Sequence, residues 1–489
     1  MKKISIDKNK LKKVMSKKHI KNQNELASNM GISKNQLSAI LSDKFIPIKS
    51  NVQKMCEVLD IGFDEIMSVE DIEEEQISFI ELYNNIELTQ NVCEKEEIYG
   101  DQDEYIEIKN IVADRPYTCV ELFAGAGGLA LGLEEAGFKE VGLVEWDKYA
   151  CDTLRLNRPN WNVIQGDVVE IANKGIRNYI DSDIEIDLLS GGYPCQAFSY
   201  AGKKLGLEDV RGTMFYYYAK ILKELKPKVF LAENVRGLVS HDNGKTLQTM
   251  IDVFTEIGYN VTYKVLKAIN YDVAQKRERI IIIGTRKDLS DIEFKFPKPF
   301  NHIPTLREAL KDVPKSEGAK YPEKKKNVLD LVPPGGCWID LPEDIAKEYM
   351  GKSYYSGGGK RGMARRISWD EPCLTLTCSP AQKQTERCHP DETRPFTTRE
   401  YARIQSFPDE WQFSGSMSQV YKQIGNAVPV KLGKAVGLSI VDYLNRVEKD
   451  SYEYKSTKNK QKVFIYLMKI CRGNYFRKLV LKNKKYKKI

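Results

Sequence analysis

The stretch Gly191-Gly192-Tyr193-Pro194-Cys195-Gln196-Ala197-Phe198-Ser199 directly follows the apolar run IDLLS at 186–190. A short apolar run that ends at glycine is typical of a buried strand in a parallel sheet. The Pro-Cys pair is therefore expected on a loop at the C-terminal end of that strand. This is an unusual place for a core cysteine, so Cys195 is a candidate reactive thiol.

Five more apolar runs between residues 117 and 288 alternate with helical patterns and end at or near Gly, Asp, Glu or Asn. They are TCVELFAG (118–125), KEVGLVEWD (139–147), NVIQGDV (162–168), KVFLAENV (228–235) and RIIIIGT (279–285). The β-α-β alternation predicts an α/β domain with a mixed, mostly parallel sheet flanked by helices. Functional groups in such sheets lie at the C-terminal ends of the strands.

The first of these runs leads into a glycine-rich loop with Gly125, Gly127 and Gly128. Glycine lets a loop pass close to a ligand and bares the N-terminus of the following helix. Taken alone, such a loop fits many nucleotide sites. The next two runs end in acids, and this combination resembles the S-adenosylmethionine site of Rossmann-like methyltransferases. The nearest alternative function is an NAD dehydrogenase. A purely structural alternative is that these acids only cap helices.

The resemblance to methyltransferases implies a role for each polar or aromatic residue at these strand ends. Glu145 would bind the ribose hydroxyls of the cofactor, Trp146 would pack on the adenine, and Asp167 would accept from its N6 amino group. Phe123 would line the sulfonium, whose positive charge suits an aromatic face.

Five short motifs then follow one another in a set order. They are PCQ (194–196), ENV (233–235), QKRER (275–279), RPFTTREYARIQSFP (394–408) and QIGNAVP (423–429). Their joint order and spacing resemble bacterial DNA (cytosine-5) methyltransferases, from about Tyr117 to about Leu444. The resemblance implies a Rossmann-like catalytic domain that uses S-adenosylmethionine, with a small irregular target-recognition domain.

The chemistry of that family explains why these residue types are needed. Carbon 5 of cytosine is a poor nucleophile, and addition of a thiolate to carbon 6 turns it into an enamine carbon that can attack a sulfonium methyl. A free cysteine has a pKa of about 8.5, so the site must favour its thiolate. The target carbon is also hidden in stacked duplex DNA, so the cytosine must be rotated out.

The family resemblance assigns the reacting residues. It makes Cys195 the nucleophile, Glu233 the protonated acid at N3 of the base, and Arg279 a further donor to the base. By the same resemblance, Arg277 and Gln275 hold the loop in place. Pro194 and Asn426 belong to the residues that bind the cofactor.

The segment 289–393 loses the β-α rhythm and corresponds to the target-recognition domain of that family. The Thr375-Leu376 pair resembles a dipeptide found late in such domains. Arg361, Arg365 and Arg366 lie in a basic, glycine-rich part and are candidates for bidentate bonds to guanine. The loop 199–215 carries three glycines and three basic residues, so it either closes over DNA or is a flexible surface loop.

The N-terminal stretch QNELASNMGISKNQLSAIL (23–41) has the apolar spacing of two short helices broken at Gly31. It resembles the Cro-type, lambda-repressor-like helix-turn-helix domain. The inward-facing residues would be Leu26, Ala27, Met30, Ile32, Leu37, Ile40 and Leu41. The residues directed into the major groove would be Ser33, Lys34, Asn35, Gln36 and Ser38. The alternative is an all-α bundle that binds protein.

Charge is distributed unevenly along the chain, although the net charge is only +8. The stretch from Glu70 to Lys109 is acidic, whereas the end from Lys455 onward carries thirteen Lys or Arg and no acid. The basic tail suits a phosphate backbone or forms a solvated helix with a frayed end. The predicted domains are helix-turn-helix 1–68, linker 69–115, catalytic 116–288, target recognition 289–393, returning catalytic segment 394–446 and basic tail 447–489.

The resemblance implies a protein of the bacterial cytoplasm that acts at the nucleoid. No signal peptide or membrane-length apolar run is predicted. The ten cysteines are scattered, as expected of reduced thiols, and Cys378, Cys388 and His389 fit no common zinc spacing, so no metal is expected.

The predicted partner is double-stranded DNA, with operator DNA for the N-terminal domain. The alternative is that this domain only adds non-specific affinity for DNA. A restriction endonuclease would be a functional partner without necessary contact, and the protein would be a monomer or a dimer through the N-terminal domain. Two other functions stay open: a tRNA cytosine methyltransferase, and a repressor with an inert catalytic domain.

Overall fold

A computed structural model describes residues 3–6, 8–18, 20, 22–30, 37, 41, 55–56, 58–61, 66–70, 104–194, 213–289, 291–355 and 362–450. The chain divides into two compact units, Met1–Gly100 and Asp101–Ile489. Each unit has its own hydrophobic core.

The N-terminal unit contains the helices α1 (Lys8–Lys17) and α2 (Gln23–Asn29) and the antiparallel strands β1 (Lys3–Ile6) and β2 (Met67–Glu70). The side chain of Asn22 accepts from Glu25 N at 3.1 Å and begins α2. Burial of five predicted inward-facing residues is confirmed: Leu26, Ala27, Met30, Leu37 and Leu41. The small sheet was not predicted, because four-residue strands give little pattern. Ile32, Ile40 and the five predicted groove-facing residues lie outside the described residues.

The strands described in the second unit are β3 (Tyr105–Ile106), β4 (Tyr117–Leu122), β5 (Phe138–Glu145), β6 (Val163–Gln165), β7 (Leu188–Gly191), β8 (Val229–Val235), β9 (Tyr259–Lys267), β10 (Gln275–Lys276), β11 (Glu278–Arg286), β12 (Phe296–Pro297) and β13 (Cys373–Leu374). Seven of them form one sheet in the order β6-β5-β4-β7-β8-β11-β9. β4, β5, β6, β7 and β8 are parallel, as predicted, whereas β11 runs antiparallel to both β8 and β9.

Helices cover both faces of this sheet. One face packs on α5, α6 and α7, and the other on α3 and α13. Each large apolar side chain buried there contributes roughly 1.5–3 kcal/mol. The helices are α3 (Gly128–Ala136), α4 (Lys148–Asn157), α5 (Val168–Lys174), α6 (Met214–Leu225), α7 (Lys245–Ile257), α8 (Leu306–Ala309), α9 (Glu323–Leu329), α10 (Glu343–Met350), α11 (Thr398–Ile404), α12 (Met417–Asn426) and α13 (430–450).

The predicted linker 69–115 is wrong at its C-terminal end. Ile108 is 3% exposed, and β3 pairs with β12. Arg115 donates to Asp187 Oδ1 at 2.7 Å and to Glu448 Oε1 at 2.7 Å. Isoleucines within the acidic segment anchor residues 104–115 to the second unit. Glu448 also places the start of the predicted tail within α13.

The stretch Met417–Asp450 has the length and hydropathy of a membrane-crossing helix, but 78% of its most apolar window is buried inside the fold. A helical stretch buried in the core of a protein passes the same test, so this one is weak evidence for a membrane span.

The segment 291–393 carries little regular structure and is organised partly by a buried carboxylate. Glu386 is fully buried and accepts from Ala364 N at 2.6 Å, while its Oε1 lies 2.5 Å from Lys325 Nζ. Because a buried charge needs such partners, this glutamate joins three parts of the segment that lie far apart in the sequence.

Candidate active site

A cavity of ≈ 690 Å³ opens at the C-terminal ends of β4, β5, β7 and β8. It brings together residues from four of the five motifs, PCQ, ENV, QKRER and QIGNAVP, as expected when the ends of parallel strands share one edge. Gly127, Asp167 and Gln275 lie outside its lining, and Cys195 lies outside the described residues. The predicted residues that line it are Phe123, Gly125, Gly128, Glu145, Trp146, Pro194, Glu233, Arg277, Arg279, Thr375, Leu376 and Asn426.

The glycine loop needs glycine for two physical reasons. Gly127 begins α3 in the left-handed region at φ 84°, where side chains are strained. At Gly128, a Cβ would lie 2.2 Å from the Val428 carbonyl oxygen. The loop therefore packs directly against the QIGNAVP segment, and both face the cavity.

Glu145 holds this loop in place at the end of β5. Its carboxylate accepts from Gly125 N at 2.8 Å, Trp146 N at 2.9 Å and Asp147 N at 2.7 Å. The Trp146 side chain is 73% exposed at the rim of the cavity. A carboxyl group beside an exposed indole suits a ligand with hydroxyl groups and an aromatic ring.

Asp167 acts as a helix cap in this structure. Its Oδ1 accepts from Val169 N at 2.8 Å and begins α5. Asp147 caps α4 in the same way, accepting from Tyr149 N at 2.9 Å. The capping alternative thus describes the observed contacts of Asp167, and its predicted adenine contact stays a prediction.

The opposite end of the cavity holds an ion pair. Arg279 Nε lies 2.5 Å from Glu233 Oε1, and the two side chains are 13% and 12% exposed. A Cβ at Gly192 would lie 2.6 Å from Glu233 Oε2, so any other residue there would displace the Glu233 carboxylate. Asn234 Nδ2 donates to Tyr193 O at 2.8 Å and fixes that loop beside the pair.

Arg277 and Gln275 are buried behind this pair. Arg277 is 2% exposed and donates to Leu376 O at 3.3 Å and Gly425 O at 3.1 Å. Burial, together with the positive charge of Arg279, lowers the pKa of Arg277 to about 9. Gln275 is fully buried and accepts from Leu376 N at 3.0 Å. These contacts fix Leu376 and Gly425, and the role of Arg277 and Gln275 in holding the site in place stays a prediction.

Glu121 is a cavity residue that the sequence analysis did not select. It is 2% exposed and accepts from Ser190 Oγ at 3.3 Å. Burial raises the pKa of Glu121 to about 8, and the negative charges of Glu145 and Glu233 add to the effect. A glutamate inside the apolar run VELF was the signal in the sequence.

The cavity also contains two contacts from other elements. Lys422 Nζ lies 2.9 Å from Asp147 Oδ2, and Cys378 Sγ donates to Asn426 Oδ1 at 2.8 Å. Within the described part of the chain, no three His, Cys, Asp or Glu side chains are grouped to hold a metal.

The prediction that Arg366 bonds to guanine is wrong. The side chain is buried, and its five N–H groups have five protein acceptors, so none is left for a base. The acceptors are Val332 O (2.7 Å), His389 O (3.0 Å), Pro390 O (3.3 Å), Leu329 O (2.7 Å) and Thr393 Oγ1 (2.7 Å).

Two other residues of the recognition segment that were predicted to contact DNA form fewer side-chain hydrogen bonds within the protein than Arg366 does. Arg365 donates to Glu371 Oε1 at 2.5 Å and to Gly336 O at 3.3 Å, so much of its guanidinium is already occupied. Thr375 Oγ1 donates to Lys276 O at 2.7 Å. Arg361 lies outside the described residues.

Comparison with known proteins gives matches over both units. The profile of C-5 cytosine-specific DNA methylases matches residues 117–442, and that of Cro/C1-type HTH DNA-binding domains matches residues 10–71. Type II methyltransferase M.Sau96I of Staphylococcus aureus is 56% identical over 435 residues, covering 88% of this chain and 97% of its own.

Two further matches cover the second unit. Type II methyltransferase M.Eco47II of Escherichia coli is 60% identical over 347 residues, covering 69% of this chain and 82% of its own. A crystal structure of a prophage-encoded E. coli protein described as a DNA modification methyltransferase matches with a TM-score of 0.50 and 26% identity. It covers 67% of this chain and 99% of its own.

Proposed function

Because the chain belongs to the family of C-5 cytosine-specific DNA methylases, we propose that it methylates a cytosine rotated out of duplex DNA, using S-adenosylmethionine. The observation that carries this proposal is the single cavity with two chemically different ends. The glycine loop, Glu145 and Trp146 form one end, and the Glu233–Arg279 pair forms the other beside Pro194. A cofactor and a base bound there would be neighbours.

The cofactor end suits S-adenosylmethionine in charge and shape. Glu145, and Glu121 once it has released its proton, supply carboxylates for a cationic ligand, and Phe123 supplies an aromatic face. The exposed Trp146 offers a surface for a purine ring. When bound, S-adenosylmethionine supplies an electrophilic methyl group.

The residues at the other end would act on the base. The Cys195 thiolate forms a bond to carbon 6 while Glu233 delivers a proton to N3, which quenches the developing charge. Arg279 donates to the base from beside Glu233. Carbon 5 would then take the sulfonium methyl group, with S-adenosylhomocysteine as the leaving group. A base would remove the C5 proton, N3 would return its proton to Glu233, and the bond between carbon 6 and sulfur would break to release the thiolate. The buried Arg277 and Gln275 hold this arrangement without touching the base.

The proposed activity is tested by transfer of a labelled methyl group to two substrates. We expect incorporation into duplex DNA and none into tRNA. Bisulfite sequencing of DNA from cells that express the protein should then find one methylated cytosine in a fixed sequence context. Label in tRNA alone, or no label in either substrate, would contradict the proposal.

We propose a restriction-modification role, in which an endonuclease shares the recognition sequence. Support comes from the Type II methyltransferases among the relatives.

We further propose that the Cro/C1-type domain binds an operator and represses the gene of this protein or of the endonuclease. Footprinting with the full chain should protect DNA upstream of one of these genes, and the Lys34→Glu, Gln36→Ala variant should not. Absence of protection by the unchanged protein would contradict the regulatory role.

Cofactor affinity is expected to depend on pH through Glu121. Since the pKa of this buried carboxyl is raised to about 8, it is protonated in the free protein below that pH. A cationic ligand favours the ionised form, so binding releases a proton. Affinity for S-adenosylmethionine should therefore rise with pH, by up to roughly tenfold per unit between about pH 6 and pH 8. Isothermal titration calorimetry in buffers of different ionisation enthalpy measures both effects.

The Glu121→Gln variant should lose the proton release and show a flat pH profile. Glu278→Gln is the control, because Glu278 is a carboxyl of the same sheet that pairs with Arg236 at 2.7 Å outside the cavity lining. It should keep the affinity within about twofold. A pH profile that persists in Glu121→Gln would exclude Glu121 as its source.

A further inference from the structure

A chain of buried amides joins the QIGNAVP segment to the recognition dipeptide Thr375-Leu376. Gln405, which directly follows α11, is fully buried. Its Nε2 donates to Ile424 O at 2.8 Å and to Ala427 O at 3.2 Å, on either side of Asn426. Its Oε1 accepts from Gln275 Nε2 at 2.9 Å. One side chain thus fixes the segment that presents Asn426 to the cavity.

Gln275 continues the chain to the recognition segment. Its Oε1 accepts the N–H of Leu376 at 3.0 Å, and β10 pairs in parallel with β13 just before that residue. Arg277 makes a second bridge, since it donates to the carbonyls of both Leu376 and Gly425. Both polar backbone groups of Leu376 are therefore bonded to residues that also reach the QIGNAVP segment directly or through Gln405.

The orientation of each amide in this chain is fixed by the next. Rotating the Gln405 amide would place its oxygen against two carbonyl oxygens and its nitrogen against the nitrogen of Gln275. Buried polar groups are seldom left without a partner, so the chain shifts as a unit or breaks. The two segments also touch directly, because a Cβ at Gly425 would lie 2.5 Å from the Thr377 carbonyl.

We propose that Gln405 is a positioning residue that couples DNA recognition to cofactor binding. This inference rests on the proposed function, since it assigns the two ends of the cavity to DNA and to cofactor. Thr375 and Leu376 line the cavity on the recognition side, and Asn426 and Ala427 line it beside the glycine loop. A ligand that shifts either segment shifts the other through Gln275 and Gln405. Such coupling is reciprocal, so each ligand raises the affinity for the other by one common factor.

The coupling factor is measured with the full chain as the ratio of two dissociation constants. The probe is S-adenosylhomocysteine, which cannot donate a methyl group. It is titrated into the protein alone and then into the protein with saturating duplex DNA that contains the unmethylated target sequence. The unchanged protein should bind it at least about fivefold more tightly with DNA present. Gln405→Met keeps the size of the side chain but has no amide, and it should bring the ratio close to one. Its affinity without DNA should change much less.

Three comparisons keep the outcome decisive. Gln275→Met should lower the ratio similarly, and the double variant should lower it no further, because both residues act in one chain. Asn445→Leu is the matched control: this buried amide bonds to Tyr117 Oη at 2.7 Å and Val112 O at 2.9 Å, outside the cavity lining. It should keep the full ratio. Thermal unfolding establishes that each variant is folded, and Gln275→Met replaces Gln405→Met if the latter does not fold.

Full coupling in both glutamine variants, or none in the unchanged protein, would overturn the inference while leaving the proposed function intact. A protein that binds neither S-adenosylhomocysteine nor DNA would instead refute the proposed function itself.

Discussion

Replacement of Cys195 by Ser should lower the rate of methyl transfer by roughly 10⁴-fold or more. The reaction requires a nucleophile that adds to carbon 6, and a serine hydroxyl is far less acidic and less nucleophilic than a thiol. Cys195 itself lies outside the described residues, but Pro194 before it lines the cavity beside Glu233. The loop therefore lies at the reacting end as far as Pro194, the last residue before the proposed nucleophile.

The measurement separates chemistry from binding. Single-turnover transfer of labelled methyl to duplex DNA gives the rate, and calorimetry with S-adenosylmethionine should give an affinity within about twofold of the unchanged protein. DNA containing 5-fluorocytosine adds a direct test. Its carbon 5 cannot release a proton after methylation, so the unchanged protein should remain covalently attached and Cys195→Ser should not.

Cys56→Ser, a thiol of the N-terminal unit, controls for replacement of a cysteine as such. It should retain both turnover and covalent capture. Turnover by Cys195→Ser near that of the unchanged protein would remove Cys195 from the mechanism.

The catalytic edge of the sheet was predictable because each apolar run that marks a buried strand ends directly at a candidate functional residue. Short apolar runs identify buried strands, and parallel strands place their C-terminal ends together. Glu145 and Glu233 could thus be assigned to one cavity, although they lie nearly ninety positions apart in the sequence. The direction of β11 was not predictable in this way, because an apolar run such as RIIIIGT has the same composition in either direction.

Contacts between distant segments account for the remaining errors. Arg366 occurs in a basic stretch, and nothing local shows that four carbonyls and a hydroxyl from other parts of the chain occupy its guanidinium. Gln405 likewise looks like an ordinary polar residue of the REYARIQSFP motif. Its importance comes from burial between Gln275 and α12, which only the folded chain reveals.

Glu233→Gln is expected to reduce methyl transfer by roughly 10² to 10⁴-fold. An amide cannot deliver the proton that N3 receives while the thiolate adds to carbon 6. Its oxygen can still accept from Arg279, which lies 2.5 Å from the carboxylate, so the loop geometry around Gly192 should persist. The loss should therefore fall on kcat, with little change in cofactor affinity.

The neighbouring carboxyl of Glu278 distinguishes proton delivery from a general effect of charge. It pairs with Arg236 at 2.7 Å at the protein surface and has no contact with the base in the proposed mechanism, so Glu278→Gln should turn over at close to the normal rate. Both variants replace a carboxyl group by an amide on the same pair of adjoining strands, β8 and β11. If Glu233→Gln and Glu278→Gln lose activity equally, the local field and not a proton at N3 is what Glu233 provides. If Glu233→Gln alone is slow and still binds cofactor and DNA, the carboxyl proton is the part of the site that the amide cannot replace.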